Sequence, residues 1–328
     1  MWHATRRRIL ASFTAMTATL IDAQTQVRAG TARIGWLTAQ RESSLTPYLE
    51  AMRAGLADLG YVEGRNLVIE FRFGDDVTER VTILAKELVD LPVDLIVAQG
   101  AAAYEIANLG LQVPIVYCIS ADPVASGFAE SLTQPHGNMT GLTFMAFEFA
   151  AKRLELLQEM VPALKRVAVI GNPEHPGSQI ERAYTEETGR RLSMKIDYLP
   201  TPTKSDLLAA FTAIANEPPG AISLLADGFA IQNRQSIMEF ANSQRIPVVS
   251  GWPVFAHSGA LCTYGPRLTE SYRRIAYYVD RILKGAKPSD LPIERPSKFE
   301  LVVNLRTAKS LGLPISRAML ARADEIIE

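Results

Sequence analysis

Cysteine is scarce in this chain: Cys118 and Cys262 are the only two among 328 residues, and no Cys/His spacing of a zinc site accompanies them. His3, His136, His175 and His257 show no metal-ligand spacing either, so neither a metal nor a cofactor is expected. The sequence has no Gly-x-Gly-x-x-Gly, no Walker P-loop and no Gly-x-Ser-x-Gly. That removes dinucleotide enzymes, P-loop nucleotide hydrolases and serine hydrolases of the nucleophile-elbow type. An excess of one charge is also missing. With 34 basic and 35 acidic residues the net charge is -1, which provides no long-range field for a polyanion, and nucleic acid is not an expected partner. No tandem repeat or low-complexity tract is present.

What the chain does have is one pattern used twice: an apolar strand, a small or polar residue at its carboxyl end, then a helix. The first series runs through Ala32 to Leu37, Asn66 to Phe71, Asp94 to Ala98 and Pro114 to Cys118. The second runs through Arg166 to Gly171, Lys195 to Leu199, Ala221 to Ala226, Pro247 to Gly251 and Ala260 to Tyr264. Continuous Val/Ile/Leu runs separated by helices predict parallel sheets covered on both faces. The expected fold class is therefore α/β, with two doubly wound lobes, and an apolar content of 48% is enough for two cores. The carboxyl ends of both sets of strands should face a cleft between the lobes, where function is to be sought.

The amino terminus is different. Arg6, Arg7 and Arg8 precede Ile9 to Ile21, an apolar stretch diluted by threonine and serine, and Ala23 and Ala29 follow. This describes either an export signal or a basic tail; the stretch is short for a membrane span. Thr5-Arg6-Arg7-Arg8-Ile9-Leu10 also resembles a twin-arginine signal. Residues 1–30 are assigned to export, 31–143 to the first part of lobe 1, and 144–266 to the main part of lobe 2. Residues 267–295 are assigned to a return into lobe 1, and 296–328 to a terminal segment on lobe 2. Within these, Thr140 to Phe144 reads as the first crossing between lobes, and Gln232 to Gln244 as one helix.

Five stretches carry a family resemblance: Gly60 to Asn66 (GYVEGRN), Ala121 to Val124 (ADPV), Gly137 to Gly141 (GNMTG), Tyr277 to Gly285 (YYVDRILKG) and Phe299 to Asn304 (FELVVN). Together they resemble the ABC-transporter substrate-binding proteins associated with tryptophan and tyrosine transport. The similarity extends from about Ala32 to Glu328. It implies a type I periplasmic binding fold with three hinge crossings, a small-molecule ligand between the lobes, an ABC permease as partner, a monomeric state and a periplasmic location.

Several residues at the predicted strand ends could meet a ligand. Gly100, Ala101 and Ala102 open a helix whose first amides could take a carboxylate, or they simply allow tight packing. Ser120 could hydrogen-bond a ligand, and Asp122 could pair with an ammonium group or cap the turn at Pro123. Asn172 and Asp227 end second-lobe strands, while Ser178 either caps a helix or contacts ligand. Trp36, Phe144, Trp252 and Tyr264 could stack on a ring or belong to core and hinge. Thr38, Ser43 and Ser44 complete the polar set.

Three other functions compete. Cofactor-independent amino-acid racemases use one cysteine per lobe as paired acid and base, and Cys118 and Cys262 would have to fill those roles; buried structural thiols, or an opportunistic disulfide if the protein is exported, are the alternative. A transcription regulator would need a helix-turn-helix ahead of the first lobe, where the signal-like segment stands. A ligand sensor partnering a membrane receptor would use the same cleft.

Overall fold

The computed structural model describes residues 30–328. The export segment predicted at 1–30 therefore lies outside the described residues, except for Gly30. The first half contains β1 (Ala32–Thr38), α1 (Thr46–Asp58), β2 (Leu67–Phe73), α2 (Val81–Val89), β3 (Leu95–Gln99), α3 (Ala101–Ala107) and β4 (Ile115–Ile119). A small hairpin, β5 (Ala129–Ser131) with β6 (Gln134–Pro135), precedes β7 (Met139–Thr143). These strands form a parallel sheet in the order β2-β1-β3-β4-β7. Its central strands β3 and β4 are buried along their whole length, as expected for a sheet covered on both faces.

The chain then crosses through α4 (Ala150–Met160) into β8 (Arg166–Gly171), α5 (Ser178–Arg191), β9 (Lys195–Pro200) and α6 (Lys204–Asn216). It continues through β10 (Ala221–Leu224), α7 (Gly228–Gln232), α8 (Arg234–Ser243), β11 (Val248–Ser250), α9 (Pro253–His257) and β12 (Cys262–Pro266). The amphipathic helix α10 (Leu268–Leu283) returns to pack on α1. Gly55 permits that approach, because a Cβ there would stand 2.6 Å from the Arg273 carbonyl oxygen. β13 (Phe299–Asn304), α11 (Leu305–Leu311), α12 (Arg317–Arg322) and β14 (Glu325–Ile327) complete a second sheet in the order β14-β13-β12-β11-β10-β8-β9.

Three details differ from the sequence reading. Met139–Thr143 is an edge strand rather than a crossing, and it pairs with β4. Gly141 allows this, since a Cβ there would lie 2.0 Å from the Tyr117 carbonyl oxygen. The expected helix over 232–244 is divided at Asn233, whose side chain bonds back to the Phe229 carbonyl at 2.9 Å. β13 runs antiparallel to β12; between the two strands the chain leaves through α10, which packs on α1, rather than over a helical crossover within the same sheet.

The family-like stretches prove to be framework. Tyr61 donates from its hydroxyl to Asp280 Oδ1 at 3.1 Å, tying the end of α1 to α10. The Asn138 side-chain amide donates to the carbonyls of Leu111 and Val113 at 2.8 and 2.5 Å, locking the loop before β4. Asn304 accepts from Thr307 N at 3.0 Å, capping α11, and donates to the Ala256 carbonyl at 2.9 Å. Arg274 of α10 grips Glu294 through two bonds of 2.8 and 2.7 Å, and Arg295 pairs with Glu148.

Candidate functional site

Strands β1, β3 and β4 of one sheet and β8, β10 and β11 of the other end on a common cleft. It encloses a cavity of about 360 Å³, within the size range of small-molecule pockets. The first-lobe wall contains Thr38, Gln99, Gly100, Ala101 and Ser120 at strand ends, with Ser44 nearby. Asn172, Asp227 and Trp252 line the opposing wall, and Phe144, just beyond β7, also borders the cavity. Nine of the sequence-predicted residues are thus brought together: Thr38, Ser44, Gly100, Ala101, Ser120, Phe144, Asn172, Asp227 and Trp252.

The other six are elsewhere. Trp36 is fully buried in the first-lobe core, its ring 5.9 Å from that of Tyr272. It shares a strand face with Thr38 but lies two residues deeper along β1, below the cleft floor. Ser43 is exposed on the short turn Glu42–Ser44, and Ala102 faces the core under α3. Asp122 accepts from Val124 N at 2.8 Å, the turn-capping role. Ser178 is buried but does not cap α5; Gly177 holds the cap position, and no bond reaches the Ser178 hydroxyl. Tyr264 packs edge-on against Phe149 at 6.1 Å.

Asp227 is the buried charge of the site. It is 4% exposed, caps α7 through the Phe229 amide, and leaves Oδ2 without a hydrogen-bond partner among the described residues. Burial pushes its carboxyl up to about 6, with backbone amides opposing and the Glu181 charge adding to the rise. Three further buried polar atoms on the cavity residues are unpartnered, Ser44 Oγ, the Tyr104 hydroxyl and Trp252 Nε1. Orphaned groups of this kind are costly unless something completes them, and a ligand would.

Beneath Asp227 lies a buried ion pair. Arg153 of α4 binds Glu181 of α5, and Glu181 Oε2 accepts from Ala226 N at 2.8 Å, one residue before Asp227. Arg153 also reaches the Ala146 carbonyl, in the turn ahead of α4, at 3.4 Å. Gly251, beside Trp252, makes room for the guanidinium: a Cβ there would stand 2.6 Å from Nη1. One pair therefore touches the backbone just before Asp227, just before Trp252 and just ahead of α4.

The lobes touch across the cleft. His175 Nδ1 accepts from Gly177 N at 3.2 Å, so the ring proton is on Nε2, which donates to Ser120 Oγ at 3.0 Å. Burial lowers the His175 pKa to about 4, keeping the ring neutral. Gln232 reaches Thr78 at 3.5 Å, and Phe144 meets Trp252 edge to face at 5.7 Å. Within the first lobe, Thr38 Oγ1 donates to Gln99 Oε1 and accepts from Gln40 N at 3.1 Å.

Sequence reasoning missed His175 and the aromatics Tyr48, Tyr104, Phe229 and Tyr272, all of which line the cavity. Tyr48 and Tyr104 stand one turn beyond Ser44 and Gly100, so helical spacing from the predicted loops could have found them. Tyr272 gives no such signal, because it reads as the apolar face of α10.

Cys118 lines the cavity, whereas Cys262 is buried in the hydrophobic cluster of the second lobe. Both are free thiols, and burial pushes each up to about 12. The facing acid and base that racemase chemistry needs are not assembled. Among the described residues no group of His, Cys, Asp and Glu could hold a metal ion, and no helix is long and apolar enough to cross a membrane.

Known proteins share this fold. A tyrosine-binding protein of Clostridioides difficile is 25% identical over 280 residues, covering 81% of this chain and 78% of that protein. The crystal structure of a conserved domain protein from Vibrio cholerae superposes with a TM-score of 0.83 at 24% identity, over 90% of this chain and 99% of that one. A Streptococcus pneumoniae ABC domain in complex with L-Trp also gives 0.83, at 22% identity over 91% and 100% of the two chains. The family model for ABC transporter substrate binding proteins matches residues 41–327, nearly the whole described chain, and the protein belongs to that family.

Proposed function

We propose that the protein captures an aromatic amino acid in the interlobe cleft, outside the cytoplasm, and delivers it to an ABC permease for import. The observation that carries this is Asp227, a buried carboxylate with a free oxygen and, among the described residues, no Lys or Arg ion pair, set among aromatic rings. An ammonium group would pair with it, while Tyr48, Tyr104, Phe229 and Trp252 would flank a planar side chain. Relatives that bind tyrosine and L-Trp support the reading. Affinity for the closed form shifts the open/closed balance toward the shape a permease recognises. The ligand thus works by differential contact, and no catalytic step is required.

In this reading the monomer divides into one lobe from 31–143 and 267–295 and another from 144–266 and 296–328, with 1–30 as the export signal. The packing of α10 on α1 and of β13 on β12 supports the division. The test is calorimetric titration of ligand-free protein with L-tryptophan, L-tyrosine and L-phenylalanine, beside sugars and nucleobases. Saturable binding of an aromatic amino acid is expected. Binding confined to a sugar or nucleobase would overturn the assignment.

A further inference from the structure

Resting on the amino-acid reading above, we infer that this site reads the ligand's amine as a charge but its carboxylate only as a neutral hydrogen-bond acceptor, so that its ligand class extends to cationic aromatic amino-acid amides. The cavity wall supplies three carboxylates, Glu105, Glu174 and Asp227, and no Lys or Arg. The buried Arg153 beneath it is already engaged by Glu181. The His175 ring is neutral, and its Nε2 proton is directed to Ser120.

The unpartnered donors that remain, Ser44 Oγ, the Tyr104 hydroxyl and Trp252 Nε1, are uncharged. A neutral donor satisfies a carbonyl oxygen as well as a carboxylate oxygen, whereas enclosing an uncompensated anion beside Asp227 carries both desolvation and like-charge costs. An ammonium group gains on both counts, since Asp227 Oδ2 is buried and free. Converting the carboxylate to an amide keeps the acceptor, removes the anion and leaves the ligand with a net positive charge.

The experiment titrates the full ligand-free protein at pH 7.5 with three matched probes: L-tryptophan, L-tryptophanamide and indole-3-propionate, each repeated with its tyrosine counterpart. The amide should bind no more than about tenfold weaker than the amino acid, and the deaminated acid more than tenfold weaker, with a loss of about a hundredfold expected. An amide more than tenfold weaker than its parent, or a deaminated acid within tenfold of it, overturns the inference while the amino-acid reading stands. If neither amino acid nor amide binds, both fall together.

Discussion

The two walls of the cleft are built differently. The first-lobe wall is neutral at its strand ends and largely satisfies itself: Thr38, Gln99 and the Gln40 amide bond to one another. The second-lobe wall holds Asp227 with one oxygen free, and stands over the buried Arg153–Glu181 pair. In this arrangement the fully buried carboxylate belongs to the second lobe, while the first contributes rings, neutral polar groups and Glu105, and completes the enclosure. A buried ion pair adds little net stability but is expensive to break, so its place under one wall fixes that wall's geometry more than it strengthens the fold.

The contrast can be broken at several points. Arg153→Met should have the largest effect, because it strands the Glu181 carboxylate in the core; a loss of about 3–5 kcal/mol is expected in urea unfolding. Thr38→Val on the opposite wall should cost only about 1 kcal/mol in the same measurement. Recovery of stability in Arg153→Met/Glu181→Leu, but with weaker ligand binding than wild type, would separate positioning from stability.

Asp227→Asn comes next. It should weaken aromatic amino-acid binding by about 2–4 kcal/mol, measured by calorimetry, since the ammonium then faces a neutral amide. The pH dependence follows from the same group. With the free-protein carboxyl near 6, Kd at pH 5 should be about tenfold weaker than at pH 7, and this slope should vanish in Asp227→Asn. The sign for stability is opposite: a raised carboxyl stabilises the unliganded protein at low pH, and that contribution is lost as pH rises through about 6. His175, neutral above about 4, should add no pH dependence to binding between pH 7 and 8.

The smallest effect is expected for Ser120→Ala, which removes the hydroxyl that His175 meets across the cleft. About 0.5–1.5 kcal/mol of binding should be lost, seen mainly as faster ligand release, because the contact forms only when the lobes are together. An unchanged release rate would show that the latch contributes nothing to holding the closed form.

Much of the fold was legible because two-sided burial writes continuous apolar runs into a sequence, and strands such as Leu95–Gln99 and Phe299–Asn304 stand within a residue or two of where those runs place them. The strand-end rule also led to Thr38, Ser120, Asn172 and Asp227. It failed where depth and local packing mattered. Trp36 and Tyr264 sit near strand ends as well, but Trp36 lies two residues deeper than Thr38 on the same face, within the core, and Tyr264 packs on Phe149. The stretches most similar to the family, such as Tyr61 with Asp280 and Gly141 against Tyr117, stabilise the frame and say little about the ligand.

The sequence by itself determined two wound sheets, their order along the chain and a cleft at their carboxyl edges, because hydrophobic periodicity and glycine placement are local properties. Tertiary structure alone decided that Asp227 is buried with a free oxygen while Asp122 is spent on a turn. It also decided that Arg153 lies under Trp252, that His175 reaches Ser120, and that Cys118 and Cys262 never face one another. Each of these depends on groups far apart in sequence meeting at a depth where water no longer offers an alternative partner, and no local pattern records that depth.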